Sequence, residues 1–146
     1  MGKLGNRTAE ILLVEDNEGD AFLIESALKE AGFPSRIRHV ADGPSALEYL
    51  HSRPGGNPIP DLVLLDLNLP GMDGREILAQ LKGDEELRRI PVIVLTTSDN
   101  PQDIQSSYDR LANCYVTKPV QIDEFFESIR AIAEFWFRVA TLPGPN

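Results

Sequence analysis

A single cysteine, Cys114, is too little for an intramolecular disulfide, and the two histidines, His39 and His51, have no Cys or His partner at ligand spacing. Disulfide scaffolds and zinc clusters are thereby excluded, and a reducing compartment fits. No apolar run approaches the roughly 18 residues that a membrane span requires, and the opening MGKLGNRTAE carries no apolar signal segment. Positive charge is also scarce: 14 Lys and Arg stand against 23 Asp and Glu, for a net charge of -9. Such a surface repels phosphate backbones and anionic lipid. Neither nucleic acid nor membrane is an expected partner, and the cytoplasm is the expected compartment. Repeats and low-complexity tracts are missing too, so the 146 residues are read as one domain, 1–146, with a core from about 9 to 140 and loose ends that include TLPGPN.

What is present is an alternation of two patterns. Four apolar residues, Leu62 to Leu65, run up to Asp66, and Pro70, Gly71 and Gly74 then punctuate a loop. A continuous apolar run of this length reads as a strand buried on both faces of a parallel sheet. Similar runs are EILLV (10–14), emptying into Glu15, Asp16, Asn17 and Glu18; IPVIVL (90–95), ending in Thr96, Thr97 and Ser98; and CYVT (114–117), ending in Lys118-Pro119, with Cys114 expected to be buried. RIRHV (36–40) is mixed in polarity, as suits an edge strand.

Helical spacing fills the intervals. Ala21, Ile24, Leu28 and Ala31 precede Gly32; Ala46, Leu47 and Leu50 follow Pro44; Ile77, Leu78 and Leu81 mark a third helix. Asp99 or Asn100 can cap a fourth, with Pro101 in its first turn and Ile104, Tyr108 and Leu111 on one face. A fifth places Phe125, Ile129, Ile132 and Trp136 on one stripe, with Phe135 and Phe137 off it. Those two rings are expected to be exposed and to serve a homodimer through the last helix. The Pro/Gly-rich SRPGGNPIP (52–60) is read as a surface loop, since neither side of it could bury a core alone.

Five strand-helix units predict an α/β, flavodoxin-like doubly wound sheet in the order 2-1-3-4-5 with five helices, ligands binding at the carboxyl ends near strands 1 and 3. That topology gathers Glu15, Asp16, Asp66 and Thr96 at one rim. Lys118 lies two strands from Asp66, about 10 Å at roughly 4.8 Å per strand, and a lysine stem covers most of that. Crowded carboxylates repel unless a cation holds them, and a hard, oxygen-loving one is expected. Mg2+ fits, with Asp16 and Asp66 as direct ligands, the backbone carbonyl of Asn68 as a third and Glu15 acting through water. Asp66 could then accept a phosphoryl group, its equatorial oxygens met by the metal, the Lys118 ammonium and the Thr96 hydroxyl. Taken singly, each part has a plainer reading: a turn-capping Asp66, a solvated Lys118, a strand-end Thr96, an exposed acidic loop.

LLVEDN, LLDLNLPGMDG, PVIVLTTSD and YVTKP together resemble the receiver domain of two-component response regulators, over nearly the whole chain. The resemblance implies Asp66 as phosphoacceptor, Glu15 and Asp16 as acidic pocket, Thr96 as switch hydroxyl, Lys118 as the phosphate-contacting lysine, Tyr115 as switch aromatic, and a cis bond between Lys118 and Pro119. It implies Mg2+, a sensor histidine kinase as donor, and a protein that catalyses only its own phosphorylation and dephosphorylation. With no output domain in this chain, a single-domain regulator is expected. Thr97 departs from the family's usual small residue and would narrow access to the phosphoryl group, while Asn68 and Ser98 hold the positions that tune hydrolysis. DLNLPGMDGREIL, LRRIPVIVLTTSDN, NCYVTKP and EFWFRVATLP resemble, more narrowly, stand-alone regulators partnered with phytochrome-type kinases.

Other classes fit less well. A small-molecule phosphohydrolase with an aspartate nucleophile wants a second aspartate two residues on, where Asn68 cannot act as an acid. A flavin carrier must receive a phosphate in its first loop, which Glu15, Asp16 and Glu18 would repel. A phosphorylation-independent interaction module would be expected to have lost part of the acidic set.

Overall fold

The structure is a computed structural model and describes residues 7–143; of the expected loose ends, residues 1–6 and 144–146 lie outside the described residues, while Leu142 of TLPGPN is not loose but half-buried against the core. Strands β1 (Ala9–Val14), β2 (Ser35–Val40), β3 (Leu62–Leu65), β4 (Val92–Thr96) and β5 (Cys114–Thr117) alternate with helices α1 (Glu18–Glu30), α2 (Gly43–Ser52), α3 (Gly74–Gly83), α4 (Pro101–Asp109) and α5 (Ile122–Glu134). All pairings are parallel, and the order is β2-β1-β3-β4-β5, as expected.

The apolar runs are continuous because both faces of the sheet are covered. Ile11, Leu13, Leu62, Leu64, Ile93 and Leu95 pack against α1 and α5. Their neighbours Leu12, Val14, Val63, Leu65, Val92 and Val94 pack against α2 and α3 on the other face. Successive side chains of a strand point to opposite faces, so a run apolar at every position needs a helix layer on each side. β2, at the edge, alternates half-buried with exposed positions over its first four residues.

Three expectations need correction. The stripe of α4 does not face the core: Tyr108 and Leu111 are exposed, Ile104 is half-buried, and Ser107 is the helix's buried residue. The helix stops at Asp109, and Leu111 falls in a left-handed turn with φ 70°, so the 3.6-residue period no longer governs it. Cys114 is half-buried rather than buried, on the last strand of the sheet.

Phe137, expected to be exposed, is 1% exposed and meets Phe33 edge-on, 6.0 Å between ring centres. The cause is a π-helical turn over Phe135–Val139, closed by the Ala140 N–H donating to the Phe135 carbonyl at 2.7 Å. Bonds five residues back insert one residue into the turn. The position that Trp136 would hold on the α5 stripe therefore passes to Phe137. Trp136 is half-buried at the same core, and Phe135 stays 50% exposed.

Candidate functional site

The rim at the carboxyl ends of β1, β3, β4 and β5 is built by backbone continuity. The Asp66 N–H donates to the Val14 carbonyl at 3.0 Å, the Glu15 N–H to Val40 at 3.0 Å, and the Lys118 N–H to Thr96 at 2.7 Å. Each residue just past a strand is thus held by its neighbour strand. His39 Nε2 lies 2.7 Å from the Glu15 carbonyl; a carbonyl only accepts, so that nitrogen carries the proton.

Glu15, Asp66, Thr96 and Lys118 are buried polar residues gathered at this rim. Lys118 Nζ donates to Glu15 Oε1 at 2.6 Å, Asp20 Oδ2 at 2.8 Å and Asp66 Oδ2 at 3.1 Å. The stem bridges the two strands as expected. Burial opposes the Lys118 charge, but the bonds to Asp20 and Glu15 and the charge of Asp66 outweigh it and hold the ammonium above its ordinary range. Burial, with the charge of Asp66, pushes the Glu15 carboxyl up to about 7 against the pull of Lys118.

Carboxylate oxygens of Glu15, Asp16 and Asp66 lie within 4.8 Å of one another, Asp16 being the exposed member. Three hard oxygen donors at this spacing suit a divalent cation such as Mg2+, which keeps part of its water shell. Asn68 donates its N–H to Asp66 Oδ1 at 3.2 Å and its side-chain amide stands 3.5 Å from Thr96 Oγ1. Thr97 is exposed at the rim.

Behind the rim, the Ser98 hydroxyl donates to Asp103 at 2.6 Å, and Arg75 at the start of α3 pairs with Asp103 and Asp73. The Tyr115 hydroxyl donates to the Ser98 carbonyl at 2.8 Å, and the Tyr115 N–H to the Tyr108 phenol at 3.1 Å.

One expected feature is overturned: the Lys118–Pro119 bond is trans, there being no cis peptide bond among the described residues. Trans is the lower-energy isomer even before proline, and the Lys118 ammonium reaches its three carboxylates from a trans chain. Two contributors went unread in the sequence. Asp20 is signalled only by its place three residues after the helix cap Asn17, and the Arg75–Asp103 pair by nothing local.

Residues 11–130 match the response regulator receiver domain. The chain belongs to that family. This receiver is 41% identical to response regulator Rcp1 of Synechocystis sp. over 99% of both chains. It is 44% identical to a protein named "Probable methanogenesis regulatory protein FilR2" of Methanothrix harundinacea, over 92% of this chain and 88% of that one. Among solved structures, the phosphorylated cyanobacterial phytochrome response regulator RcpA superposes with a TM-score of 0.90 at 46% identity, over 94% of this chain and 100% of that one. The Mn2+-bound form of Rcp1 does so with 0.88 at 41%, over 93% and 99%. The receiver is a response regulator of a two-component phosphorelay, and no helix of its described residues is long and apolar enough to cross a membrane.

Proposed function

We propose that Asp66 is the phosphoacceptor and that its donor is a phosphohistidine of a sensor kinase. A carboxylate oxygen of Asp66 attacks phosphorus, the P–O bond forms as the P–N bond breaks, and the electron pair leaves on the imidazole. The observation that carries this reading is the meeting at Asp66 of an ammonium 3.1 Å away and a three-carboxylate cluster. Asp16 and Asp66, with Glu15 behind them and the Asn68 carbonyl beside them, would hold Mg2+. The ion supplies positive charge to the transferring group's oxygens. Lys118 covers a second oxygen and the Thr96 hydroxyl a third. Thr96 and Tyr115 then report the phosphorylated state to the surface of α4 and β5.

The whole chain is proposed to act as one receiver unit in the cytoplasm, catalysing only its own phosphorylation and dephosphorylation. A phytochrome-type kinase is the proposed donor, by likeness to the cyanobacterial phytochrome response regulator RcpA. We further propose a homodimer through the C-terminal helix, using Phe135 and Val139, which are 50% and 58% exposed on the same turn; Phe137 is excluded by its burial.

The test is incubation with acetyl phosphate and Mg2+, read by intact mass. One phosphoryl group should be gained by the parent and none by Asp66→Asn; a gain that survives the substitution would remove Asp66 from the role.

A further inference from the structure

Asp16 is the exposed member of the carboxylate cluster, and its side chain makes no hydrogen bond or ion pair among the described residues. Glu15 and Asp66, by contrast, are each held by Lys118 and by a backbone N–H. The Asp16 carboxylate therefore stands where its own backbone puts it. On the C-terminal side that backbone is fixed by the start of α1. Asn17 donates its N–H to Glu15 Oε2 at 3.2 Å, its side chain accepts from the Asp20 N–H at 2.9 Å, and its carbonyl accepts from the Ala21 N–H at 2.9 Å.

On the N-terminal side the fixture comes from another strand. His39, half-buried on edge strand β2, stands opposite Leu13 in the register, and its Nε2–H reaches past the end of β1 to the Glu15 carbonyl at 2.7 Å. The backbone ladder stops one group earlier, with the Glu15 N–H on the Val40 carbonyl. A peptide group is planar, so a held Glu15 carbonyl fixes the plane that also contains the Asp16 nitrogen and Cα. Without the His39 bond that plane is free to turn, and the Asp16 carboxylate turns with it. An ion of Mg2+ size tolerates little such displacement, since it demands oxygen ligands at about 2.0–2.1 Å in a near-octahedral array.

We infer that His39 is a positioning residue for the metal site: by holding the Glu15 carbonyl from the edge strand, it fixes where the Asp16 carboxylate stands. It acts through one backbone carbonyl and is not itself a ligand. The inference rests on the proposal that Asp16 and Asp66 hold Mg2+.

The experiment titrates Mg2+ alone into the parent, His39→Phe, His39→Gln and Asp16→Asn by calorimetry at one pH. Ile37→Ala, which thins the core packing of the same strand, is the control for plain destabilisation. His39→Phe keeps the bulk of a ring and loses the donor, whereas the amide of His39→Gln can place an N–H near the same point. The Mg2+ dissociation constant should rise about three- to tenfold in His39→Phe, the scale of one hydrogen bond, and return toward the parent in His39→Gln. The half-saturating Mg2+ concentration for labelling by acetyl phosphate should rise by the same factor, with the saturating rate unchanged. A histidine that merely supported β2 would behave as Ile37→Ala does, its loss lowering the melting temperature and leaving the dissociation constant alone. That outcome in His39→Phe, or an equal rise in His39→Gln, overturns the assignment. Should His39→Phe fail to fold, His39→Asn, whose amide is too short to reach the carbonyl, decides. Failure of the parent to bind Mg2+, or equal binding by Asp16→Asn, would instead sink the metal reading itself.

Discussion

The Tyr115 hydroxyl donates to the Ser98 carbonyl at 2.8 Å, tying β5 to the loop that leaves β4 just past Thr96. The same loop is held from its other side by Asp103, which accepts from the Ser98 hydroxyl and pairs with Arg75. Tyr115→Phe removes the first tie and leaves the second. Stability should drop by about 1 kcal/mol, the usual net value of one hydrogen bond, seen in urea denaturation. Amide exchange at residues 97–100 should quicken while that of β3 stays unchanged.

Glu15 gives the Mg2+-free protein a pH dependence of unusual sign. Its carboxyl is raised from 4.5 to about 7, so between those values the folded chain keeps a proton that the unfolded chain has lost. Stability therefore declines as pH rises through that window, by at most about 1.4 kcal/mol per pH unit. The lowered carboxyls of Asp42, Asp73, Asp84 and Asp103 act the opposite way, their contribution being lost only as pH falls below the ordinary 3.8. Denaturation in EDTA should show the decline, Glu15→Gln should flatten it, and Mg2+ should reverse it by taking the deprotonated site.

Gly74 lies where a side chain has no room. A Cβ there would stand 2.5 Å from the Asp66 carbonyl oxygen and 2.7 Å from the Leu67 Cα, both backbone. Gly74→Ala should cost about 1–3 kcal/mol, as forced overpacking does. Because the backbone that yields is that of Asp66, phosphorylation by acetyl phosphate should slow by more than the loss of folded protein explains.

The π turn predicts opposite outcomes for two neighbouring rings. Phe137→Ala empties a core position and should cost about 3–5 kcal/mol. Phe135→Ala should change stability by no more than about 0.5 kcal/mol, as surface substitutions do. Phe135→Asp should lower the mass seen by light scattering toward that of one chain if the exposed turn joins two copies; an unchanged mass would remove that surface from consideration.

Local pattern alone was enough for the strands, their order and the four strand ends that carry Glu15, Asp16, Asp66, Thr96 and Lys118. A strand covered on both faces must be apolar at every position, and polar residues can return only where it emerges, so burial writes itself into consecutive residues. Gly74 shows the boundary of such reading: a loop marker in the sequence, it is in fact demanded by the Asp66 backbone beside it. The capture of Lys118 by Asp20, the Arg75–Asp103–Ser98–Tyr115 connection and the inward turn of Phe137 were decided by tertiary structure. Each depends on distances between groups far apart in the chain, or on a one-residue slip in a helix, and neither leaves a periodic trace in the order of amino acids.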